Sequence, residues 1–404
     1  MLPARERSAP RDAGPPRDVW ARIRGQLRFH TLHNARIGAA RDAYLEQPRY
    51  LELIEPRAQR YLYHLVSEVE RRQMPIEIAL LPLVESALNP FAYSPQSAAG
   101  LWQIMPGTAR DLGMRRDWWY DARLDVRDAT RHALDYLDSL HRDIGGDWLL
   151  ALAAYNAGKG RVQRALASNR RRGLPEDFWS LELPRETQHY VPRLIALATI
   201  VAFDEALGVD LPPVPNQPAF VAVDTGGQVE MLRAAELAGL ELMTLRRYNP
   251  GVLRWATPPG KRELLVPPAA AAALRTGLAA LPADQRVTWQ RYTIRRGDSL
   301  IRIARQFDTE VALLREVNNL RGNRIYAGAT LMIPDSRAWQ DSLALAGGGA
   351  STIRRAYTVR TGDSLYRIAR RFDVSIAELV DWNQLNPSHY LQPGQSLTLY
   401  LAPP

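Results

Sequence analysis

Two near-identical segments constrain this chain more than any other feature. Residues 292–307 (YTIRRGDSLIRIARQF) return 65 residues later at 357–372 (YTVRTGDSLYRIARRF). Gly297-Asp298-Ser299-Leu300 recurs as Gly362-Asp363-Ser364-Leu365, Ala304 as Ala369, and Asn318 as Asn383. A segment reused in this way is a small folding unit, so the C-terminal half must be modular. Each unit reads as a short strand, a turn at Gly-Asp, two short helices and a closing strand, at 330–333 in one copy and 396–399 in the other. A weaker copy precedes them. Ala235 stands 14 residues before Asn249, as Ala304 stands before Asn318, and Leu245, Leu314 and Leu379 align. It lacks the Gly-Asp-Ser-Leu turn, so its fold is expected to persist without that surface. The Ala-rich stretch 269–280 reads as a connecting helix. Gly347 to Gly349 lies in a flexible linker between the two strong copies.

Before Gly208 the pattern is different. No strand alternation is visible from Asp18 to Leu207, so this block is expected to be all-α. Leu62, Leu65, Val66 and Val69 recur at three- and four-residue spacing, which gives one apolar face. Further helices are expected near 105–112, 129–144, 148–156 and 187–207. Residues 1–17 are basic, Pro-rich and expected to be disordered, and 208–218 reads as a Pro-rich linker.

Within the helical block, 80–108 is the least ordinary stretch. Pro75 suits the first turn of a helix. That helix carries Ile78, Leu81 and Leu88 on the side of Glu85, and Pro82 is expected to kink it just before the acid. A Ser- and Gly-rich loop follows at once, then Leu-Trp-Gln-Ile-Met-Pro. A carboxylate on an apolar face costs roughly several kcal/mol unless it is paired or protonated. Burial raises its pKa, and a carboxyl neutral near pH 7 is a general acid. From the pattern alone, a buried salt bridge is the plainer reading and catalysis the sharper one. A glycosidase normally needs two carboxyl groups. Asp111 and Asp117 follow without any pattern that marks them, so single-acid chemistry would need the substrate to supply the nucleophile.

Composition removes other classes. The net charge of +9 is carried by Arg, since Lys159 and Lys261 are the only lysines. No dense basic run with interleaved aromatics appears, which argues against nucleic acid. The absence of cysteine excludes disulfides, thiolate metal sites, a cysteine nucleophile and a lipidated cysteine in the sequence as given. No stretch reaches the roughly 18 apolar residues of a membrane span, and the N-terminus has no apolar signal core. Either the chain is cytoplasmic or an export segment is missing from the sequence as written. His-Glu-x-x-His, P-loop and G-x-S-x-G patterns are absent, and His30 and His33 lack metal-binding partners. Neither metal nor cofactor is expected.

Four motifs then combine: Glu85-Ser86 with Ser94; Ala99 to Pro106; Ala154-Tyr155-Asn156-Ala157-Gly158; and Glu186-Thr187 with Tyr190-Val191. In this order and spacing they resemble the lytic transglycosylases of the goose-type lysozyme superfamily. The repeats resemble LysM modules, which bind N-acetylglucosamine-containing glycans. The resemblance runs from about Asp18 to the C-terminus and implies a multidomain fold, with a mainly α lysozyme-like catalytic domain followed by small α+β (βααβ) LysM modules. The implied layout is a helical extension at 18–72 packed on a catalytic domain at 73–207. A degenerate LysM-like module (219–268), a connector (269–289), LysM 1 (290–335), a linker (336–355) and LysM 2 (356–401) follow.

The family's roles map onto matching positions. Glu85 matches the sole acid/base, which protonates the oxygen between N-acetylmuramic acid and N-acetylglucosamine. It then takes a proton from the muramoyl C6 hydroxyl, whose attack on C1 leaves a 1,6-anhydro end. Ser94, Gln103 and Met105 match sugar-contacting groove residues, although plain packing would also explain Met105. Tyr155 and Asn156 match the motif facing the acid. Glu186 matches a groove acid, against the plainer reading of a helix-start charge favoured by the dipole, and Tyr190 one turn on would line the same wall. In the LysM units the resemblance places sugar binding at Gly297, Asp298, Ser299 and Leu300 with Ile325 and Tyr326. The second copy would use Gly362, Asp363, Ser364 and Leu365 with Tyr390 and Leu391. The plainer reading is that Gly-Asp-Ser-Leu makes a turn and caps a helix, and both can hold. Two modules on one polymer would raise the enzyme's local concentration. The implied partner is the peptidoglycan glycan strand, in the periplasm or cell envelope, and the resemblance allows peripheral outer-membrane association. Family members are usually exported and often lipid-anchored, so an export segment is expected to be missing or misassigned at the start. A goose-type muramidase that hydrolyses the same bond and a non-catalytic glycan-binding scaffold are the alternatives.

Overall fold

The computed structural model describes residues 16, 18–46, 48–117, 119–282, 285–287, 289–307, 309–334, 353–360, 363–372, 379, 391–392 and 394–401. Expectations for 1–15, Gly347 to Gly349, Gly362, Asn383 and Tyr390 fall outside these. The chain forms two compact units, one from 1–89 with 129–219 and the other from 90–128 with 220–404.

In chain order the helices to Ser86 are α1 (Val19–Arg24), α2 (Ala35–Leu45), α3 (Pro48–Arg71), a 3₁₀ turn at Ile76–Leu80, and α4 (Leu81–Ser86). α5 (Pro106–Asp111) lies in the second unit. α6 (Val126–Asp143), α7 (Trp148–Ala157), α8 (Lys159–Arg172) and α9 (Arg185–Ala202) follow. Side-chain caps start several of them. Asp18 accepts the N–H groups of Trp20 and Ala21, Asn34 that of Ile37, and Asp147 those of Leu149 and Leu150. Each satisfies donors that the first helical turn leaves unpaired. α9 is apolar on nearly every side, from Thr187 to Val201, and is buried accordingly. α1, α2, α4, α7 and the 3₁₀ turn all pack on it.

One expectation for this unit needs correction. Residues 75–88 do not form one kinked helix. The 3₁₀ turn ends at Leu80 and α4 begins anew, with Pro82 in its first turn where no backbone donor is needed. Leu88 lies beyond α4, after Ala87 and itself turn left-handed (φ 49° and 58°), and is buried without sharing the helix face. The Pro-rich 208–218 stretch is tied to α1 and its cap. Val214 donates to Asp18 and accepts from Val19, while the Trp20 indole donates to the carbonyl of Pro212. α8 was illegible because only Val162 and Asn169 of its 14 residues are buried, too few to show a period.

The second unit contains three two-stranded antiparallel sheets. β1 (Val221–Asp224) pairs with β2 (Glu263–Val266) around α10 (Met231–Leu237) and α11 (Leu242–Tyr248). α12 (Pro268–Ala280) follows. Where the sequence suggests a connector, α12 buries Ala270, Ala271, Leu274 and Leu278 and packs on β1 and α10. β3 (Trp289–Thr293) pairs with β4 (Thr330–Pro334) around α13 (Leu300–Gln306) and α14 (Val311–Val317). β5 (Ile353–Thr358) pairs with β6 (Ser396–Leu401), with α15 (Leu365–Phe372) between them.

The aligned asparagines have one physical explanation. The Asn249 amide donates to the carbonyls of Leu245 and Leu265 and accepts the N–H of Leu265. Asn318 does the same with Leu314 and Met332. One side chain thus ties the end of the second helix to the closing strand in both copies. The strong copies also share a ring pair, Tyr292 on Phe307 and Tyr357 on Phe372, each with centroids 5.1 Å apart.

Candidate active site

α4 is short and apolar, with Leu81 to Val84 buried. Its next residue, Glu85, is half-buried. The hydroxyl of Tyr190, on buried α9, donates to Glu85 Oε1. Burial pushes the Glu85 pKa up to about 7. The Tyr190 hydrogen bond and the Arg193 charge pull it back, and the Glu186 charge pushes it further up.

The end of α7 supplies Tyr155 and Asn156. Burial, reinforced by the Glu85 charge, holds the Tyr155 phenol well above its usual range, so it stays neutral and able to donate. The Tyr136 ring lies 5.9 Å from the Tyr155 ring. Asn156 is oriented from the start of α9. Its Oδ1 accepts the Thr187 hydroxyl at 2.6 Å, and its Nδ2 faces Glu186 Oε1 at 3.4 Å. Glu186 is exposed in the first turn of α9.

The structure thus gathers Glu85, Tyr155, Asn156, Glu186 and Tyr190 in one unit. Two participants carried no role in the sequence reading. Thr187 fixes Asn156. Arg193 lies three residues after Tyr190 on the same helix, a spacing that shares a face. Its Nε donates to the Tyr44 hydroxyl of α2 at 3.3 Å.

Ser94, Gln103 and Met105 lie in the other unit, on the loop before α5. Ser94 Oγ accepts the N–H groups of Gln96 and Ala98 at 3.2 and 3.0 Å. Gln103 Nε2 donates to the carbonyls of Ala92 and Gly100 at 3.3 and 2.8 Å. Two expected sugar contacts therefore also shape the loop. Met105 is 42% exposed, so core packing does not account for it.

In the first strong repeat, Gly297 adopts φ 89°, a conformation that glycine takes without strain. Asp298 Oδ2 accepts the Tyr292 hydroxyl and the Arg295 N–H, both at 2.8 Å. Ser299 caps α13 by accepting the Arg302 N–H, and Leu300 enters the core. Asp363 and Ser364 repeat these bonds with Tyr357, Arg360 and Arg367. Ile325, Leu365 and Leu391 pack on the cores of their copies. Tyr326 is 61% exposed and Ile301 56% exposed, and the sequence reading did not single out the latter.

A family model for the transglycosylase SLT domain matches residues 64–177. The LysM domain model matches 292–334 and 357–399, and the model for the lytic transglycosylase MltD LysM-like domain matches 219–283. Membrane-bound lytic murein transglycosylase D of Escherichia coli (strain K12) is 38% identical over 406 residues, covering 96% of this chain and 86% of that protein. The chain belongs to this family. It is a lytic murein transglycosylase of the cell envelope, with a lysozyme-like helical domain and LysM modules, and its substrate is peptidoglycan. A putative tributyltin chloride resistance protein of Alteromonas sp. (strain M-1) is 41% identical over 158 residues, covering 39% of this chain and 75% of that protein. The solved lytic transglycosylase Slt of Pseudomonas aeruginosa, an inactive mutant, is 27% identical. That match covers 36% of this chain and 24% of Slt, with a TM-score of 0.27.

Proposed function

We propose that this enzyme cleaves the β-1,4 bond between N-acetylmuramic acid and N-acetylglucosamine without consuming water, with Glu85 as its single acid/base. The observation that supports this reading most is Glu85 itself, a desolvated carboxyl with a pKa of about 7 and a phenol donating to it. Near neutral pH such a group is present in both forms, so one residue can serve both steps. As an acid, Glu85 gives its proton to the glycosidic oxygen, the bond to C1 breaks, and the N-acetylglucosamine end leaves as an alcohol. As a carboxylate, it takes the proton of the C6 hydroxyl as that oxygen bonds to C1. Glu85 ends as it began, and the muramoyl end carries a 1,6-anhydro ring. Tyr155 and Asn156 would orient the acetamido group, and Ser94, Gln103 and Met105 would contact neighbouring sugars.

Hydrolysis is the second reading, favoured by the Glu186 charge felt at Glu85. A second carboxylate is what an activated water would need. Mass spectrometry of digested murein separates the two. The transglycosylase yields muropeptides lighter by one water than hydrolysis products, and wholly hydrated ends would overturn the proposal. Glu186→Gln should leave the anhydro ends in place, whereas a hydrolase would lose its base.

The two LysM copies would bind the glycan through Gly297 to Leu300 with Ile325 and Tyr326, and through Gly362 to Leu365 with Tyr390 and Leu391. Pull-down on insoluble peptidoglycan after removal of 290–404 tests this, with binding expected to fall sharply. We place the enzyme in the periplasm, with peripheral attachment to the outer membrane. Among the described residues no helix is long and apolar enough to cross a membrane.

A further inference from the structure

The LysM-like module of residues 219–283 lacks the Gly-Asp-Ser-Leu turn, and its surface is engaged elsewhere. A short segment before α6, residues 119–125 of the same unit, is fastened to it. The Asp121 N–H donates to the carbonyl of Gly251 at 3.0 Å, and the Leu253 N–H donates to that of Trp119 at 2.9 Å. The Trp119 and Trp255 rings meet edge-on at 5.3 Å. Lys261 Nζ reaches both Asp125 Oδ2 and the Tyr120 hydroxyl at 2.5 Å, and that hydroxyl donates to Asp128 at 2.7 Å. Gly251 fits because it has no side chain. A Cβ there would lie 2.8 Å from the Tyr120 ring and 3.0 Å from Asp125 Cβ.

The same segment holds the loop that carries Ser94, Gln103 and Met105. The buried Arg123 guanidinium pairs with buried Asp121 at 2.7 Å and donates to the carbonyls of Ser97 and Ile104 at 2.6 and 3.2 Å. It thereby closes both ends of the loop. Gly100 passes so close to the Arg123 carbonyl that a Cβ would lie 2.0 Å from its oxygen. A continuous chain of contacts thus runs from module to loop, through Gly251 and Lys261, then 119–125, then Arg123. An ammonium suits this place better than a guanidinium, being compact and able to point at a hydroxyl and a carboxylate together. Lys261 is one of two lysines among 52 basic residues.

We propose that the LysM-like module is a brace that holds the loop 94–105 in its working shape, with Lys261 and Gly251 as positioning residues for the reaction. This role rests on the reading that Ser94, Gln103 and Met105 contact substrate. It explains why the module keeps its fold, including the Asn249 tie, without the turn of the other copies.

The test uses Lys261→Met and Gly251→Ala in the full chain, followed by hydrogen exchange and murein digestion. Both variants should speed exchange at the Ala99 and Ile104 amides, which bond to each other across the loop, by about ten-fold or more. Exchange in α7 and α9 should stay unchanged. Release of muropeptides should fall by a similar factor, with the same upper pH limb and undiminished retention on insoluble peptidoglycan. Wild-type exchange at those amides in both variants would overturn the brace, and so would a uniform rise across both units. Faster local exchange with full activity would leave the brace standing and sink the assignment of the loop residues to substrate.

Discussion

Two acidic regions of this enzyme obey the same electrostatics with opposite results. At 76–88 an apolar segment carries two glutamates. Glu77 is fully buried, and its Oε1 takes the N–H groups of Arg28 and Phe29. Eight residues on, Glu85 is more accessible but has the Tyr190 hydroxyl against the desolvation around it, and its pKa rises to about 7. In the turn at 297–300, Asp298 takes a backbone N–H and a phenol. The Arg295 N–H first, then the Tyr292 hydroxyl, hold its carboxyl below the usual range, while at Asp363 the Tyr357 hydroxyl leads and the Arg360 N–H follows. Hydrogen-bond supply, weighed against desolvation, separates an acid that can give up and regain a proton from acids that stay charged to hold a turn.

Replacing Glu85, the proposed acid/base, tests that contrast most severely. Glu85→Gln should lower the rate of murein cleavage by about 10³-fold, the scale of losing a general acid, while leaving retention on peptidoglycan intact. A variant within ten-fold of wild type would break the contrast. The wild-type rate should decline as pH rises through about 7, because bond breaking needs the protonated form. Stability should follow the same titration. With a folded pKa above the unfolded one, Glu85 costs nothing extra below about pH 4.3, and its cost is fully felt once pH exceeds the folded value. Glu85→Gln should therefore raise stability at pH 8 by on the order of 3–4 kcal/mol and leave it unchanged at pH 4, as denaturant titration would show.

Tyr190→Phe is the next largest effect expected. Its hydroxyl favours the charged carboxylate, so its loss should raise the Glu85 pKa and move the upper limb of the pH–rate profile to higher pH. The rate would fall by about ten-fold, in line with the ~1.5 kcal/mol of a hydrogen bond to a charged group. A limb displaced downwards would remove Tyr190 from this role.

The other side of the comparison is tested by Asp298→Ala combined with Asp363→Ala. Retention on insoluble murein should drop several-fold, with cleavage of short soluble glycans unchanged. Both folded-state pKa values are depressed, so retention should hold above the ordinary aspartate range near pH 4 and fade as pH drops through the lower folded values. The smallest effect, about two- to three-fold on retention, is expected for Tyr326→Ala, which removes an exposed ring but leaves the turn intact. No change would reassign sugar binding to other parts of the module.

Much of this was legible from residue order. The repeat exposed the βααβ units because their turns, apolar positions and asparagines recur in register. Glu85 stood out because Ile78 and Leu81 precede it on an apolar segment, and the Tyr155-Asn156 and Glu186-Tyr190 motifs marked the other residues that the structure gathers in the same unit as Glu85. α8 was missed because a mostly exposed helix has no apolar period. Arg193 was missed because an arginine on a helix has no distinctive spacing until its partner on α2 is in place, and Thr187, though inside a quoted motif, has no evident role until Asn156 on α7 stands beside it.

By itself, the sequence determined the modular architecture, the all-α character of the first block, the family and the identity of the suspect acid. These depend on local periodicity and on motif order, which the chain carries in one dimension. Tertiary structure alone decided what surrounds Glu85, since its pKa depends on residues about 100 positions away, where Tyr190 and Arg193 lie. It also decided that Glu77 is structural. The acid with which this chain first attracts notice is one of two on the same apolar segment: folding buries Glu77 fully and leaves Glu85 half-buried, with a carboxyl poised near neutrality.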